Sequence, residues 1–187
     1  MHHNFQYDPK ERLKIINPAQ YLKSLGIQGA NIFFDVGAND GYFALEAAQI
    51  IKESGLVYAL DIDGSALDRL TKKSDELGIN NIKTINLKAE NIDQLKDLVG
   101  RVDIVFLGTV LHDFEDPLRV LMNLKHTLSK TGRIINLDWA KEESEIGPPL
   151  SIRFSTKDVS RLAKEVGLKV DSIKRIAPYF YEMVLSI

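Results

Sequence analysis

The spacing of apolar and polar positions along the chain switches repeatedly between the period of a strand and that of a helix. This pattern predicts alternating strands and helices. The apolar run from Ile32 to Val36 is typical of a strand buried on both faces. Helical spacing then relates Phe43, Ala44, Ala47, Ala48 and Ile51. Gly37 and Gly41 lie between the two periods, so we expect a tight turn there that leaves bare backbone and a helix N-terminus open to a ligand.

The same change of period continues along the rest of the chain. Strands are predicted over residues 32–36, 56–61, 82–87, 102–107, 133–138, 168–176 and 179–187. Helices are predicted to begin near Phe43, Ser65, Pro117 and Ser155, and residues 92–98 are expected to form a short helix or a loop. Because strands and helices alternate, we expect an α/β fold with a doubly wound, mostly parallel seven-stranded sheet. The last two strands, joined at Ala177-Pro178, are expected to form a C-terminal antiparallel hairpin.

Capping patterns mark several predicted helix boundaries. Ser65 and Ser155 are each followed by an aspartate three positions later, a pattern that resembles a capping box. Asn17 directly before Pro18 predicts a further helix start, and Gly26 is expected to end that helix.

The first 28 residues form an arm before the first predicted strand. Residues 1–8 are expected to be disordered or loosely packed, with a helical turn beginning from Pro9. The arm either covers the ligand cleft or packs on the sheet, and its sequence leaves both arrangements open. No linker, repeat or low-complexity segment divides the chain, so we expect one domain over residues 1–187.

Composition narrows the possible classes of protein. The 187 residues are 44% hydrophobic and 27% charged, as in soluble globular proteins. No apolar run is long enough for a transmembrane helix and there is no signal-peptide pattern, so a cytoplasmic protein without membrane partners is expected. The net charge of −2 argues against a nucleic-acid binder. Cysteine is absent, which excludes disulfides, thiolate metal sites and cysteine nucleophiles.

The turn after the first strand carries a more specific pattern, Asp35-x-Gly37-x-Asn39-x-Gly41. Dinucleotide-binding turns have glycine at three positions, whereas here Asn39 takes the middle position and Tyr42 the last. Asparagine tolerates positive φ better than other residues with a side chain, so it is compatible with the turn. The acidic Asp35 suits a cationic ligand better than a pyrophosphate. The alternative is an ordinary strand-turn-helix that binds no ligand.

Other polar residues follow the ends of the second and fourth predicted strands. Asp61 comes twenty residues after Gly41, the distance at which an acidic residue binds a ribose. His112 and Asp113 follow the fourth strand by five and six residues. Because the carboxyl ends of parallel strands meet at one edge of a sheet, we expect these side chains around one ligand site.

The order of strands and helices from Ile32 onwards, with the Asp-x-Gly-x-Asn-x-Gly turn, resembles the class I S-adenosylmethionine-dependent methyltransferases. Three further segments resemble the methyltransferase-11 or ubiquinone-biosynthesis-like group: the His-Asp-Phe-x-(Asp/Glu)-Pro that begins at His112, Asp138-Trp139-x-Lys141-Glu142, and Gly147-Pro148-Pro149. The resemblance implies a Rossmann-like methyltransferase fold. It also implies S-adenosylmethionine as the cofactor and S-adenosylhomocysteine as the product.

The same resemblance implies positions for the cofactor. The expected binding residues are Asp35, Gly37, Asn39 and Gly41 along the methionine portion, Asp61 at the ribose, Ile62 beside the adenine, Ala89 and Glu90 at the adenine edge, and Gly108 and Thr109 near the methionine amino group. Lys88 stands where aspartate is common in the family. As simpler alternatives, Asp61 is a solvated carboxylate at a strand end and Glu90 is a surface charge.

Two residues are candidates for chemistry on the acceptor side. Methyl transfer requires the nucleophile to be held in line behind the methyl carbon with water excluded. A hydroxyl or a protonated amine also requires a base, and His112 or Asp113 is expected to provide it. A structural role for His112 at the pocket rim is the alternative. Asp113 and Asp138 have no third oxygen ligand in the pattern, so no metal site is expected.

The long segment 139–154 is expected to form a wall of the same cleft. It leaves the fifth predicted strand at the ligand end of the sheet, and its length and Gly-Pro-Pro sequence favour a shaped loop. We expect part of it, with Arg153 as a candidate, to face one cavity together with His112 and Asp113 next to the cofactor's methyl group. Otherwise His112 points outward and the segment is only a connection.

A small molecule is the expected methyl acceptor. The fourth strand is not followed by the Asn/Asp-Pro-Pro-Tyr/Phe motif of enzymes that methylate nucleobase amino groups. The absence of cysteine argues against an arsenite methyltransferase. The methylated atom and the oligomeric state stay open. A non-catalytic cofactor-binding subunit is the main alternative function, and the turn spacing disfavours a nucleotide-cofactor oxidoreductase.

Overall fold

The computed structural model describes residues 15–30 and 32–187, and its strands belong to one sheet. The strands are β1 (Ile32–Val36), β2 (Leu56–Asp61), β3 (Ile82–Asn86), β4 (Val102–Gly108), β5 (Leu128–Trp139), β6 (Lys169–Ile176) and β7 (Phe180–Ser186). Their order across the sheet is β3-β2-β1-β4-β5-β7-β6. Strands β1 to β5 pair in parallel, and β7 is antiparallel to both β5 and β6. The predicted doubly wound sheet with a C-terminal antiparallel hairpin is confirmed.

Five α-helices connect or flank the strands in the described part of the chain: α1 (Pro18–Ser24), α2 (Ala44–Ile51), α3 (Gly64–Glu76), α4 (Pro117–Thr127) and α5 (Thr156–Glu165). The Asn17 side chain caps α1 by accepting a hydrogen bond from the Gln20 backbone N–H, as predicted. Ser155 and Asp158 form the predicted capping box at α5. Among these helices, none has both the length and the apolar composition needed to cross a membrane.

Two element starts differ from the prediction. Helix α3 is capped by Asp63 rather than Ser65, because the Asp63 carboxylate accepts hydrogen bonds from the N–H groups of Ser65 and Ala66 at 2.9 and 3.2 Å. Strand β5 begins at Leu128, which pairs with Val102 ahead of a register shift, rather than at residue 133. The predicted loose segment 1–8 and the helical turn from Pro9 lie outside the described residues.

The sheet buries an apolar core on each face because its central strands are apolar almost throughout. All five residues of β1 are buried. Phe34 belongs to the cluster that α4 and α5 complete with Leu121 and Val159, whereas Phe33 belongs to the cluster completed by α1 and α2. Burial of one such side chain stabilises the fold by about 1.5–3 kcal/mol. The two clusters fix the position of the strand ends, where the polar residues are concentrated.

The described part of the N-terminal arm packs on the sheet through hydrogen bonds as well as apolar contacts. The Tyr21 hydroxyl on α1 donates to Glu182 Oε2 on β7 at 2.8 Å, and both residues are buried. The Tyr42 hydroxyl donates to the Ile16 carbonyl oxygen at 2.6 Å. The arm is therefore fixed at both the sheet and the loop that follows β1.

Gly41 allows a testable comparison with Gly78. Gly41 has φ +90°, and a Cβ built there would lie 2.3 Å from Leu70 Cδ1; Gly78 has φ +67° and no atom within 4 Å of such a Cβ. Gly78→Ala should lose roughly 1–2 kcal/mol through left-handed backbone strain. Gly41→Ala should lose about 1–3 kcal/mol more, because overpacking against Leu70 is added. Urea unfolding measures both variants, and equal losses would contradict the close contact.

Candidate functional site

A cavity of about 390 Å³ opens at the carboxyl ends of the parallel strands. Strand β1 lies between β2 and β4, so successive connections leave it in opposite directions and a crevice forms at that point. The predicted site residues that line this cavity are Asp35, Gly37, Asn39, Asp61, Ile62, Ala89, Glu90, Gly108, Thr109, His112 and Asp113. Gly41 is not among the lining residues. Its missing side chain makes room for Leu70, a packing role that the sequence did not indicate.

Asp61 ties the loops after β1 and β2 together. Its Oδ2 accepts a hydrogen bond from the Asn39 backbone N–H at 2.7 Å, and its Oδ1 accepts one from the Asp63 N–H at 2.9 Å. Asn39 has φ +49°, the left-handed conformation that asparagine tolerates. Gly37 is required sterically, since a Cβ there would lie 2.4 Å from Val110 Cγ2. The shape of the first loop therefore depends on a carboxylate of the neighbouring strand.

Asp35 is a buried carboxyl group at the floor of the cavity. The residue is only 2% exposed, yet it lines the cavity. Burial, and then the charge of Asp61, raise the pKa of Asp35 to about 8, against a hydrogen bond from the Ala44 backbone that lowers it. In the described part of the chain, Oδ2 of Asp35 has no hydrogen-bond partner. A cationic group of a ligand would gain strongly from reaching this oxygen.

Glu90 has a structural role that the sequence did not indicate. Its Oε1 accepts hydrogen bonds from the backbone N–H groups of Glu115 and Asp116 at 3.0 and 3.3 Å, just before α4. Its carbonyl oxygen accepts a further bond from the Asn123 side chain. Lys88, at the rim, lies 2.6 Å from Glu115 Oε2. The carboxylate that was expected at the adenine edge therefore anchors the start of α4 through one of its two oxygens.

Thr109 follows β4 in an uncommon backbone conformation. Its φ is +58°, which is rare for a β-branched residue and indicates local strain. The Thr109 N–H donates to the Leu137 carbonyl oxygen at 2.7 Å and so holds the turn against β5. Gly108, just before it, packs so closely that a Cβ there would lie 2.9 Å from a ring carbon of Phe43. The strained turn directs the chain from β4 across the cavity towards His112.

His112 and Asp138 form a buried hydrogen-bonded pair at the far side of the cavity. His112 Nδ1 lies 2.8 Å from Asp138 Oδ1, and the two side chains are 5% and 1% exposed. Burial lowers the pKa of His112, but the charge and hydrogen bond of Asp138 and the nearby charge of Asp113 raise it by more, so its pKa is raised overall. Asp138 therefore orients His112. No group of three or more His, Cys, Asp or Glu side chains within the described ranges is arranged to hold a metal ion.

Arg153 determines the shape of the loop over residues 140–155. Its guanidinium donates to four backbone oxygens of that loop, those of Ala140, Glu142, Ile146 and Pro148. Arg153 is buried and lies over the Trp139 ring, with 5.4 Å between Cζ and the ring centroid. It does not line the main cavity, whereas Trp139 and Pro148 do. The predicted wall therefore comes from Trp139 and Pro148, and Arg153 supports it from behind.

Several apolar side chains that the sequence did not single out complete the cavity. They are Ile15 and Ile16 of the arm, Tyr42 and Phe43 after the first loop, Val110 and Phe114 around His112, and Phe180 at the start of β7. Their periodicity is that of ordinary core residues, so no local signal separates them from the core. The sequence did offer a signal for the partner of His112. Asp138 was expected at the carboxyl end of β5, and β5 is the neighbour of β4 in a parallel sheet.

Comparison with known proteins decides the family. A family model described as a methyltransferase domain matches residues 34–134, which is more than half of the chain. The chain belongs to the class I S-adenosylmethionine-dependent methyltransferases. Its cofactor is accordingly S-adenosylmethionine.

The chain is similar to individual methyltransferases at low sequence identity. The crystal structure of a SAM dependent methyltransferase from Aquifex aeolicus is similar with a TM-score of 0.85 at 23% identity, covering 96% of this chain and 98% of that one. The chain is 24% identical over 157 residues to the ubiquinone/menaquinone biosynthesis C-methyltransferase UbiE of Marinomonas sp., covering 83% of this chain. It is 26% identical over 103 residues to the "probable cobalt-precorrin-6B C(15)-methyltransferase (decarboxylating)" of Sulfurisphaera tokodaii, covering 55% of this chain. The chain spans 61% and 50% of the lengths of these two curated relatives.

The residues at the cavity fit the methyltransferase cofactor. S-adenosylmethionine carries a sulfonium and an ammonium group, and Asp35 offers a buried oxygen without a partner among the described residues. Gly37, two residues after Asp35, lines the same cavity. Asp61 already holds two backbone N–H groups, and each carboxylate oxygen has two acceptor positions, so it retains capacity for ribose hydroxyls.

Asp61→Ala and Asp63→Ala should separate binding from stability. Asp61→Ala removes the acceptor of the Asn39 N–H and should weaken S-adenosylmethionine binding ten- to a hundredfold, since a hydrogen bond to a charged group contributes about 1.5–3 kcal/mol. Asp63→Ala removes the α3 cap and should lower the free energy of unfolding by about 0.5–2 kcal/mol with little effect on affinity. Calorimetric titration and urea unfolding measure the two effects. The reverse ranking of affinities would show that Asp63 is the ribose ligand.

Asp138→Asn should lower the pKa of His112. Burial is already the largest single influence on this pKa and disfavours the imidazolium, and without the Asp138 charge much of what outweighs it is lost. The imidazole NMR signals of His112, assigned by comparison with His112→Gln, give the pKa in both proteins. Arg161→Gln, on the exposed side of α5, serves as a charge-changing control that should leave the value unaltered. An unchanged pKa in Asp138→Asn would contradict the paired geometry.

Proposed function

We propose that this protein transfers a methyl group from S-adenosylmethionine to a small molecule, with carbon as the favoured acceptor atom. The observation that supports this most directly is that His112, buried and hydrogen-bonded to Asp138, lines the same cavity as Asp35 and Asp61. A protein that only binds the cofactor has no need of an oriented imidazole beside it. Both curated relatives are named as C-methyltransferases, which favours carbon methylation here.

The cofactor occupies the β1–β2 side of the cavity in this proposal. Asp35, Gly37 and Asn39 adjoin the methionine portion, Asp61 binds the ribose, and the half-exposed Ile62 covers the adenine. Ala89 contacts the adenine edge through its backbone. Gly108 and Thr109 border the methionine amino group, where the strained turn at Thr109 keeps the backbone close. When bound, the cofactor supplies an electrophilic methyl group on a positively charged sulfur.

The acceptor occupies the side formed by β4, β5 and β7. Ile16, Trp139 and Phe180 are largely apolar walls there and exclude water, which favours close in-line approach of the acceptor. The walls enclose a space suited to a small molecule rather than a polymer.

His112 is the proposed proton acceptor on this side. Asp138 accepts from Nδ1–H and so fixes the tautomer in which Nε2 carries the lone pair. Nε2 can then take a proton from a C–H, O–H or N–H group as the acceptor becomes a nucleophile. Asp113 Oδ2 lies 3.7 Å from Nε2 and stabilises the imidazolium that results.

Binding is tested by a thermal-shift comparison. S-adenosylmethionine and S-adenosylhomocysteine should raise Tm, because a ligand that binds only the native state stabilises it by about 2.7 kcal/mol at a hundredfold excess over Kd. NAD at the same concentration should not. Equal shifts with NAD, or no shift with either sulfur ligand, would contradict the proposed function.

Turnover is tested with methyl-labelled S-adenosylmethionine and a fractionated pool of small metabolites. Label should pass to a small molecule, and His112→Gln should reduce the rate about 10²- to 10⁴-fold while cofactor affinity stays within a few-fold of the unmodified protein. Lys72→Gln on the exposed face of α3 is a matched surface control. Tight cofactor binding with no transfer to any fraction would instead favour the non-catalytic cofactor-binding subunit.

A further inference from the structure

Asp35 is enclosed in a way that carboxylates seldom are. Its side chain receives one hydrogen bond, from the backbone at the start of α2, and its Oδ2 receives none among the described residues. The residue is 2% exposed and nevertheless lines the cavity, so that only the cavity gives access to it. An ionised carboxylate in such a place lacks both solvent and a counter-charge.

The nearest ionisable group makes the charged form still less favourable. Asp61, at the end of the adjacent β2, acts on Asp35 as a like charge. Asp61 accepts hydrogen bonds from two backbone N–H groups. Among the described residues, both oxygens of Asp61 therefore have hydrogen-bond donors, whereas Oδ2 of Asp35 has none.

We infer that the Asp35 carboxyl group is neutral in the free protein and loses its proton when the cation of the cofactor enters. This inference rests on the proposed function, because it requires S-adenosylmethionine in the cavity. The bond that breaks is O–H on the carboxyl group, and the proton leaves to buffer. The cation of the cofactor then supplies the counter-charge that the protein does not.

The direction of the pH dependence follows from this exchange. The pKa of Asp35 is raised to about 8 in the free protein, and a bound cation lowers it. Affinity should therefore increase as pH rises towards the free-protein pKa, by at most about tenfold per unit. Proton release should be largest below pH 8.

Other ionisable groups face the same cavity and must be separated from Asp35. They are Asp61, Asp63, Lys88, Glu90, His112, Asp113 and Glu115. On the loop and helix next to Asp35, Asp40 is paired with Lys73 at 2.6 Å, and Glu46 lies in the first turn of α2. Of these, His112 has a raised pKa and would also release protons near a cation. It is the necessary control.

The experiment is calorimetric titration with S-adenosylmethionine in buffers of different ionisation enthalpy. The slope of observed enthalpy against buffer enthalpy counts protons, and it should approach one proton released per cofactor at pH 7. His112→Gln should keep the release, whereas Asp35→Asn, an isosteric change, should abolish it. Release that is lost in His112→Gln and kept in Asp35→Asn would overturn the inference.

S-adenosylhomocysteine identifies which charge Asp35 detects. It retains the ammonium group and lacks the sulfonium. Release with both ligands assigns the ammonium to Asp35, and release with S-adenosylmethionine alone assigns the sulfonium. Binding of both without any release would refute the inference while leaving the proposed function intact, whereas absence of binding would refute the function itself.

Stability of the free protein provides a second readout. An unfolded aspartate has a pKa near 3.9, so between about pH 4 and 8 the unfolded chain binds fewer protons at this site than the folded one. This site therefore destabilises the fold as pH rises through that window. Asp35→Asn removes the effect, so Tm of the free variant should exceed that of the unmodified protein by a margin that grows from pH 5 to 8. A lower Tm at every pH would show that Asp35 is structural.

Discussion

The bond between the Asp61 carboxylate and the Asn39 backbone N–H is the interaction on which the site depends. It joins the ends of two neighbouring parallel strands and holds a loop whose backbone is left-handed at Asn39. Parallel strands bring their carboxyl ends together but do not determine how the following loops pass one another. Here the relative position of the two loops is set by the Asp61 side chain, because its two oxygens accept hydrogen bonds from both loops. The shape of the cavity floor depends on this side chain.

Two buried aspartates at the same edge of the sheet differ in how their charge is compensated. Asp138 at the end of β5 faces an imidazole that can carry a positive charge, whereas within the described ranges Asp35 on β1 faces only a backbone N–H and a like charge. Each keeps one oxygen without a hydrogen bond among the described residues. Among the described residues, Asp138 thus has a potential counter-charge and Asp35 has none, so the two carboxyl groups lie in different electrostatic environments.

The elements of this fold were predictable because their signals are local. An apolar run such as residues 32–36 can only be buried, and the Ser155–Asp158 box marks a helix start within four residues. Eleven proposed site residues line one cavity because parallel topology alone brings strand ends together. The roles of these residues were harder to predict. Ser65 was expected to cap α3, whereas Asp63 does, and the anchoring of α4 by Glu90 joins residues 25 and 26 positions apart. Such pairings depend on loop paths that periodicity does not encode.

The contact between Arg153 and Trp139 has a spectroscopic consequence. The chain contains a single tryptophan, and this residue lies where the loop support, the cavity wall and the first residue of β7 meet. A cation over an indole ring and a change in the water around it both alter the energy of the excited state. The tryptophan fluorescence of the whole protein therefore reports on a single position, the boundary between the loop and the acceptor side of the cavity.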